Sequence, residues 1–191
     1  MEIRSFLAFE QPSEMQAILS RVSGELRRSP LDVRWVRPEN IHLTVVFLGN
    51  IQSEDVETME NPLQKLCLTY GPFQISLKGT GCFPHSRKPR VLWIGLEGDL
   101  ERMGRFRDSL QEEMRSFGIP KEERGFRPHL TLGRFRSVGR ADRELDEVLT
   151  RYRDLSGPVC WLKELILFKS EIRPGGSVYT RLRSWPLVGN E

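Results

Sequence analysis

Two of the three histidines share one local context, His42-Leu43-Thr44-Val45 and His129-Leu130-Thr131-Leu132. Each copy lies in an apolar, β-branched run that reads as a strand, where residues two apart project to one face. His42 and Thr44 then point together while Leu43 and Val45 turn into a core, and His129 and Thr131 repeat the arrangement. A pair of imidazoles, each beside a hydroxyl, can give and take a proton on either side of an anion. That is the minimum equipment for metal-free phosphodiester hydrolysis.

Such a reaction needs a base to activate the nucleophile, an acid to protonate the leaving oxygen, and donors for the charged phosphoryl oxygens. Histidine suits both proton roles because its pKa lies near neutrality. Thr44 and Thr131 can each donate a hydroxyl hydrogen bond, and arginine adds a stronger, charge-assisted one. A single His-Leu-Thr on a strand is a weak signal, since such a histidine is more often a satisfied polar residue. Two copies in a chain with only one other histidine tip the balance toward chemistry. Two lone histidines without a nearby acidic or thiol partner fall short of a zinc ligand set, so no metal or other cofactor is expected.

The elements that must position these residues fall into two halves of matching layout. The first reads as a strand near Ile3–Phe9 and a helix from a Ser13 cap presenting Met15, Ile18, Leu19, Val22 and Leu26. The His42–Leu48 strand follows, then a helix after Ser53 that Pro62 should kink or divide, and a strand through Phe73, Ile75 and Leu77. The second half repeats the order: strand Val91–Leu96, helix after Asp99, strand His129–Phe135, and a helix carrying Leu145, Val148, Leu149 and Tyr152. Strands Trp161–Phe168 and Val178–Leu182 close the chain.

Counterparts are separated by nearly constant offsets: about 88 for the opening strands, 86 for helix starts 13 and 99, 87 for the histidines, and about 88 for second helices near 53 and 141. An internal duplication follows. The expected fold is α+β: a single two-lobed domain spanning 1–191, with pseudo-repeats of about 1–87 and 88–191 related by a pseudo-twofold axis. Antiparallel-rich sheets line a central cleft, helices pack outside, and both histidines reach one ligand from opposite sides.

The 191 residues suffice for a substantial core, and a net charge of +3 is mild. The positive residues are 23 Arg and only 6 Lys, which favours bidentate phosphate contact. A codon bias explains that total equally well, so placement counts for more. Arg124, Arg127, Arg134, Arg136 and Arg140 bracket the second motif with no acidic residue from 124 to 140. Cys67, Cys82 and Cys160 have no paired spacing and fit a reducing compartment. No secretory leader or membrane-length apolar run is apparent, so a cytoplasmic protein is expected.

Beyond the motifs, the chain resembles the two-histidine phosphoesterase superfamily, and within it the bacterial and archaeal RNA 2′,3′-cyclic phosphodiesterase family. The resemblance rests on Arg4-Ser5-Phe6-Leu7-Ala8-Phe9, on Trp35-Val36-Arg37-Pro38-Glu39-Asn40-Ile41 running into the first motif, and on Phe47-Leu48-Gly49. It continues through Gly81-Cys82-Phe83-Pro84, Arg90-Val91-Leu92-Trp93, Phe126-Arg127-Pro128 before the second motif, Gly133-Arg134 after it, and Tyr179.

The resemblance implies that His129 is the general base and His42 the general acid. Water attacks the 2′,3′-cyclic phosphate of an RNA end, the 3′ oxygen departs, and a 2′-phosphomonoester remains. Thr44 and Thr131 would hold the phosphate and Arg134 would neutralise it. Simple alternation turns Arg134 away from Thr131, so its participation needs a bulge or strand end there. Arg127 is a secondary phosphate or RNA contact by parity, or simply an exposed arginine. Arg87, Lys88 and Arg90, in the loop that also holds His85, read as rim contacts to backbone phosphate or as a solvated loop. Phe6 reads as a base-stacking surface or a core aromatic, and the four tryptophans as packing residues.

The expected partner is RNA ending in a 2′,3′-cyclic phosphate, with no membrane, no obligatory protein partner and a monomeric state. The reverse reaction would give 2′-5′ RNA ligase activity. Rival readings are a non-catalytic module that holds RNA ends, or a relative acting on ADP-ribose cyclic phosphate or 2′-5′ oligoadenylates. Loops around 83–90 and 170–177 would set that preference.

Overall fold

The computed structural model describes residues 1–137, 143–174 and 176–191; Arg140 and the expected helix start near 141 lie outside the described residues. A run buried on both faces from Ser5 to Phe9 builds β1 (Glu2–Glu10), after which α1 (Ser13–Leu26) buries Met15, Leu19, Val22 and Leu26 at helical spacing. Pro12 rather than Ser13 occupies the position before the first helical turn. The Ser13 hydroxyl donates to its neighbour Glu14 instead of capping.

A three-residue strand, β2 (Val33–Trp35), and a 3-10 turn at Pro38–Asn40 precede β3 (His42–Gln52). The helix after Ser53 is divided, into α2 (Asp55–Thr58) and α3 (Glu60–Thr69). Pro62 sits in the first turn of α3, where its missing N–H has no intrahelical acceptor to lose. Next come β4 (Phe73–Phe83), β5 (Val91–Gly98), α4 (Leu100–Arg115), β6 (His129–Phe135) and α5 (Arg143–Arg151). The final strands are β7 (Cys160–Leu162), β8 (Glu164–Arg173) and β9 (Gly176–Pro186).

The run expected as one strand over Trp161–Phe168 is therefore two. β7 pairs with β4, whereas β8 pairs with β1 in a different sheet. The only local sign of the break is the polar pair Lys163-Glu164, which interrupts the alternation without showing that the two apolar stretches join different sheets.

Two antiparallel sheets result, ordered β3-β1-β8-β9 and β2-β6-β5-β4-β7. Under the duplication β1 corresponds to β5 and β3 to β6, and the shared order is completed by β8 in one sheet and β4 in the other. Each sheet thus takes strands from both halves of the chain. One continuous apolar core joins the sheets to the helices, with Met103, Phe106, Leu110 and Met114 of α4 fully buried in it. Burying side chains of this size contributes about 1.5–3 kcal/mol each, which outweighs intrinsic helix propensity. The other face of the first sheet carries a separate cluster of Phe6, Ala8, Ile166 and Phe168, with Tyr179 packed against it. Trp185 is buried, but Trp161 is half exposed and so is not the packing residue expected.

Candidate active site

The motif strands β3 and β6 lie alongside one another, and each carries a bulge at the same place. On β3, Leu7 pairs with Val46 and Ala8 with Thr44, leaving Val45 as the extra residue. On β6, Leu92 pairs with Gly133 and Trp93 with Thr131, leaving Leu132 as the extra residue. Val45 and Leu132 are 87 positions apart, the same offset as the histidines. A bulge shifts the face of everything beyond it. Val45 and Val46 are consecutively buried, as are Leu132 and Gly133, and the residues after them, Phe47 and Arg134, return to the histidine face and are exposed.

The conflict between strand parity and the position of Arg134 is thereby removed. Its positive charge acts on both imidazoles. Gly133 is needed for this arrangement, since any β-carbon there would run into the Val33 side chain on the neighbouring strand.

Backbone carbonyls orient both rings. His42 Nδ1 donates to the Asn40 carbonyl at 2.8 Å, and His129 Nδ1 donates to the Arg127 carbonyl at 2.7 Å. A carbonyl only accepts, so Nδ1 carries hydrogen in each ring and Nε2 is left as the proton-exchanging atom. The two carbonyls also stand 87 residues apart.

Aromatic rings wall in each imidazole. Phe6 stacks on His42 at 4.7 Å between centroids and Tyr179 meets it edge-on at 5.0 Å. His129 receives the edge of Phe83 at 4.9 Å and lies 6.3 Å from Trp93. Phe6 is only 4% exposed, and its ring is taken up by His42 and Phe168, so no face remains for a nucleobase. The base-stacking role considered for it is corrected to support of the imidazole.

Burial pushes the His42 imidazole down to about 4. The hydrogen bond to Asn40 opposes this shift, and the nearby His129 and Arg134 add to it. His129 is also held below its ordinary value, first by burial and also by Arg134, against the pull of the Arg127 carbonyl. Both rings therefore rest neutral at pH 7, and an anion bound between them would raise both values.

Thr44 and Thr131 are half-buried on the histidine face, and neither hydroxyl has a protein partner among the described residues. Arg127 is exposed, and its backbone rather than its side chain serves His129. Arg87, Lys88 and Arg90 are exposed in the β4–β5 connection, which starts at the His129-facing Phe83 and returns to β6 where Phe135 N–H donates to the Arg90 carbonyl. Among the described residues no cluster of His, Cys, Asp and Glu could hold a metal ion. A separate concavity at the start of α1, lined by Ser13, Glu14, Trp161 and Lys163, includes neither histidine.

Sequence reasoning gave no site role to Phe83, Tyr179 or the Asn40 carbonyl. The duplication offset could have found the last of these, since Asn40 is the counterpart of Arg127.

A family model described as LigT like Phosphoesterase matches the chain twice, at residues 10–93 and 94–179, with one motif in each segment. The RNA 2′,3′-cyclic phosphodiesterase of Methanothermobacter thermautotrophicus is 32% identical over 187 residues, covering 98% of this chain and 100% of that protein. The Archaeoglobus fulgidus protein of the same name is 35% identical over 86% of this chain and 85% of its own length. Among solved structures, TT0787 of Thermus thermophilus aligns with a TM-score of 0.81 and 28% identity, over 99% of this chain and 100% of that one. Escherichia coli LigT complexed with 3′-AMP aligns with a TM-score of 0.77 over 98% and 99%; at 23% identity this is a likeness of fold.

Proposed function

Because the chain belongs to the LigT-like phosphoesterase family, we propose that it opens the 2′,3′-cyclic phosphate at RNA ends to a 2′-phosphomonoester, without a metal or other cofactor. One observation carries this reading. Two bulged strands present matched His-Thr pairs, each imidazole held through Nδ1 by a backbone carbonyl, and the charge of Arg134 falls on both rings.

In the proposed sequence the cyclic phosphate binds with Thr44 and Thr131 hydroxyls donating to its nonbridging oxygens and Arg134 neutralising their charge. His129 Nε2 takes a proton from water as the water oxygen attacks phosphorus. The bond to the 3′ oxygen breaks, and His42 Nε2–H delivers the proton to it. His42 must enter this step protonated although its resting value is about 4. The substrate supplies the remedy: its negative charge favours imidazolium and offsets the repulsion from Arg134. Arg127, Arg87, Lys88 and Arg90 are secondary contacts to the RNA backbone.

The same reading makes the protein a single domain of two pseudo-repeats, about 1–87 and 88–191, acting as a cytoplasmic monomer with no obligatory protein partner. Strand exchange between the sheets supports the single domain. No helix among the described residues is long and apolar enough to cross a membrane.

The test is incubation with an oligonucleotide ending in 2′,3′-cyclic phosphate, with chelator present. The expected product is a terminal 2′-phosphate at an undiminished rate. A 3′-phosphate, loss of turnover on chelation, or binding without turnover would each reject the reading.

A further inference from the structure

The second motif strand has a neighbour that the first lacks. β3 forms the edge of its sheet, whereas β6 is flanked by β2. In the β2–β6 ladder Val33 pairs with Phe135, Arg34 with Arg134 and Trp35 with Gly133. Directly opposed residues of an antiparallel pair project to the same face. Val33 and Trp35 lie over Gly133 on the core side, so Arg34 turns the other way, onto the face that carries Arg134, Thr131 and His129.

Two like charges directly opposed on neighbouring strands repel and cost stability. Two positions along, on the same face, the usual solution appears: Arg136 N–H donates to the Asp32 carbonyl, and the Arg136 guanidinium sits 3.7 Å from the Asp32 carboxylate. Elsewhere exposed arginines such as Arg105, Arg115 and Arg181 also have carboxylate partners. Arg34 and Arg134 are both exposed, and neither has a carboxylate partner among the described residues. A doubly cationic rung without a counter-charge, continuous with the histidine face, is suited to an anion with more than one phosphate. Adjacent strands lie about 4.8 Å apart, so two guanidiniums on long, flexible stems can span successive phosphates of a nucleic-acid chain.

We propose that Arg34 forms a second phosphate subsite, which takes the internucleotide phosphate immediately 5′ of the reacting cyclic phosphate while Arg134 serves the reacting group. Arg34 then makes the enzyme prefer a chain end over a mononucleotide. The RNA backbone leaves the site across the β6–β2 edge. The inference deepens the reading of function given above and rests on it.

The test compares Arg34→Gln with the unaltered protein on adenosine 2′,3′-cyclic phosphate and on a diadenosine chain ending in the same cyclic phosphate. For the dinucleotide, KM should rise about tenfold with kcat unchanged, as expected for loss of one charge-assisted hydrogen bond. The dependence of log kcat/KM on log salt should also weaken by about 0.7, the contribution of one contact to a single strand. Mononucleotide kinetics should not change, and Arg34→Lys should recover most of the loss. Equal impairment on both substrates, or none on the dinucleotide, overturns the proposal. If the unaltered protein turns over neither substrate, the reading of function fails instead. The subsite is then decided by whether Arg34→Gln weakens binding of a 2′-phosphorylated dinucleotide more than of adenosine 2′-phosphate.

Discussion

The two half-sites are alike in backbone and different in chemistry. Each has a motif strand, a bulge three residues beyond the histidine, and a carbonyl two residues before it that fixes Nδ1. At the position that the bulge returns to the histidine face, the second half-site has Arg134 and the first has Phe47, 60% exposed. The first imidazole is stacked on Phe6 and strongly desolvated, while the second meets Phe83 edge-on. Only the second sheet is extended by β2. Duplication supplied a symmetric frame for two imidazoles, and in the proposed reaction the departures from symmetry match the one entering and one leaving oxygen of a single phosphate.

The largest expected effect tests what the half-sites share. His42→Ala and His129→Ala should each reduce kcat by at least about 10³-fold, in the range for loss of a positioned acid or base. Unchanged circular dichroism should accompany the loss, and full turnover by either variant would break the equivalence of the two rings.

Phe47 and Arg134 test what they do not share. Arg134→Gln should lower kcat/KM about 100-fold, as for a charged contact to a developing oxyanion. Phe47→Ala should change it less than about threefold on the same substrate, because this exposed ring carries no charge and touches only the outer side of the cluster around Phe6, 6.4 Å away between centroids. Equal losses in steady-state kinetics would mean that position 47 also serves the reacting phosphate.

The pH dependence follows from burial. Free His129 and His42 both titrate below the ordinary 6.5, and activity needs one ring protonated and one neutral. The profile of kcat/KM should be a bell with its optimum below pH 6.5, falling as pH rises through neutrality. The profile of kcat should lie further toward alkaline pH, because bound phosphate raises both values. A kcat/KM flat from about pH 6 to 8 would contradict this.

Burial of His42 also acts on stability. A histidine whose folded value is depressed destabilises the fold as pH drops, starting near the unfolded value of 6.5 and complete below about 4. For His42 the loss is about 3 kcal/mol at about 1.4 kcal/mol per unit. His42→Gln should therefore lose less stability than the parent between pH 6.5 and 4 in urea melts, and identical slopes would refute the burial argument.

Much of this site was legible in the sequence because the duplicated motif and its period of 87 survive in residue types. His129–Phe135 was delimited to the residue, since apolar alternation and the proline before it bound the strand on physical grounds. The position of Arg134 called for a bulge or a strand end on β6 without saying which, and nothing pointed to the bulge on β3: Val45-Val46 and Leu132-Gly133 differ little from ordinary strand residues, and only cross-strand register reveals the extra residue. β2 was too short for periodicity to detect. The division between β7 and β8 is a tertiary choice of sheet, marked locally only by the polar pair Lys163-Glu164. Of the two readings open for Phe6, the core aromatic holds, but its neighbours could not be named in advance because His42, Phe168 and Tyr179 arrive from three other strands.

The most direct measurement is a proton NMR titration of the three histidine ring resonances with a nucleoside 2′-phosphate, with exposed His85 as the internal reference. The His42 and His129 signals should shift with one common Kd, both pKa values should rise on saturation, and His85 should stay in place. A response confined to one of the two rings, or separate affinities for each, would contradict a shared phosphate between them.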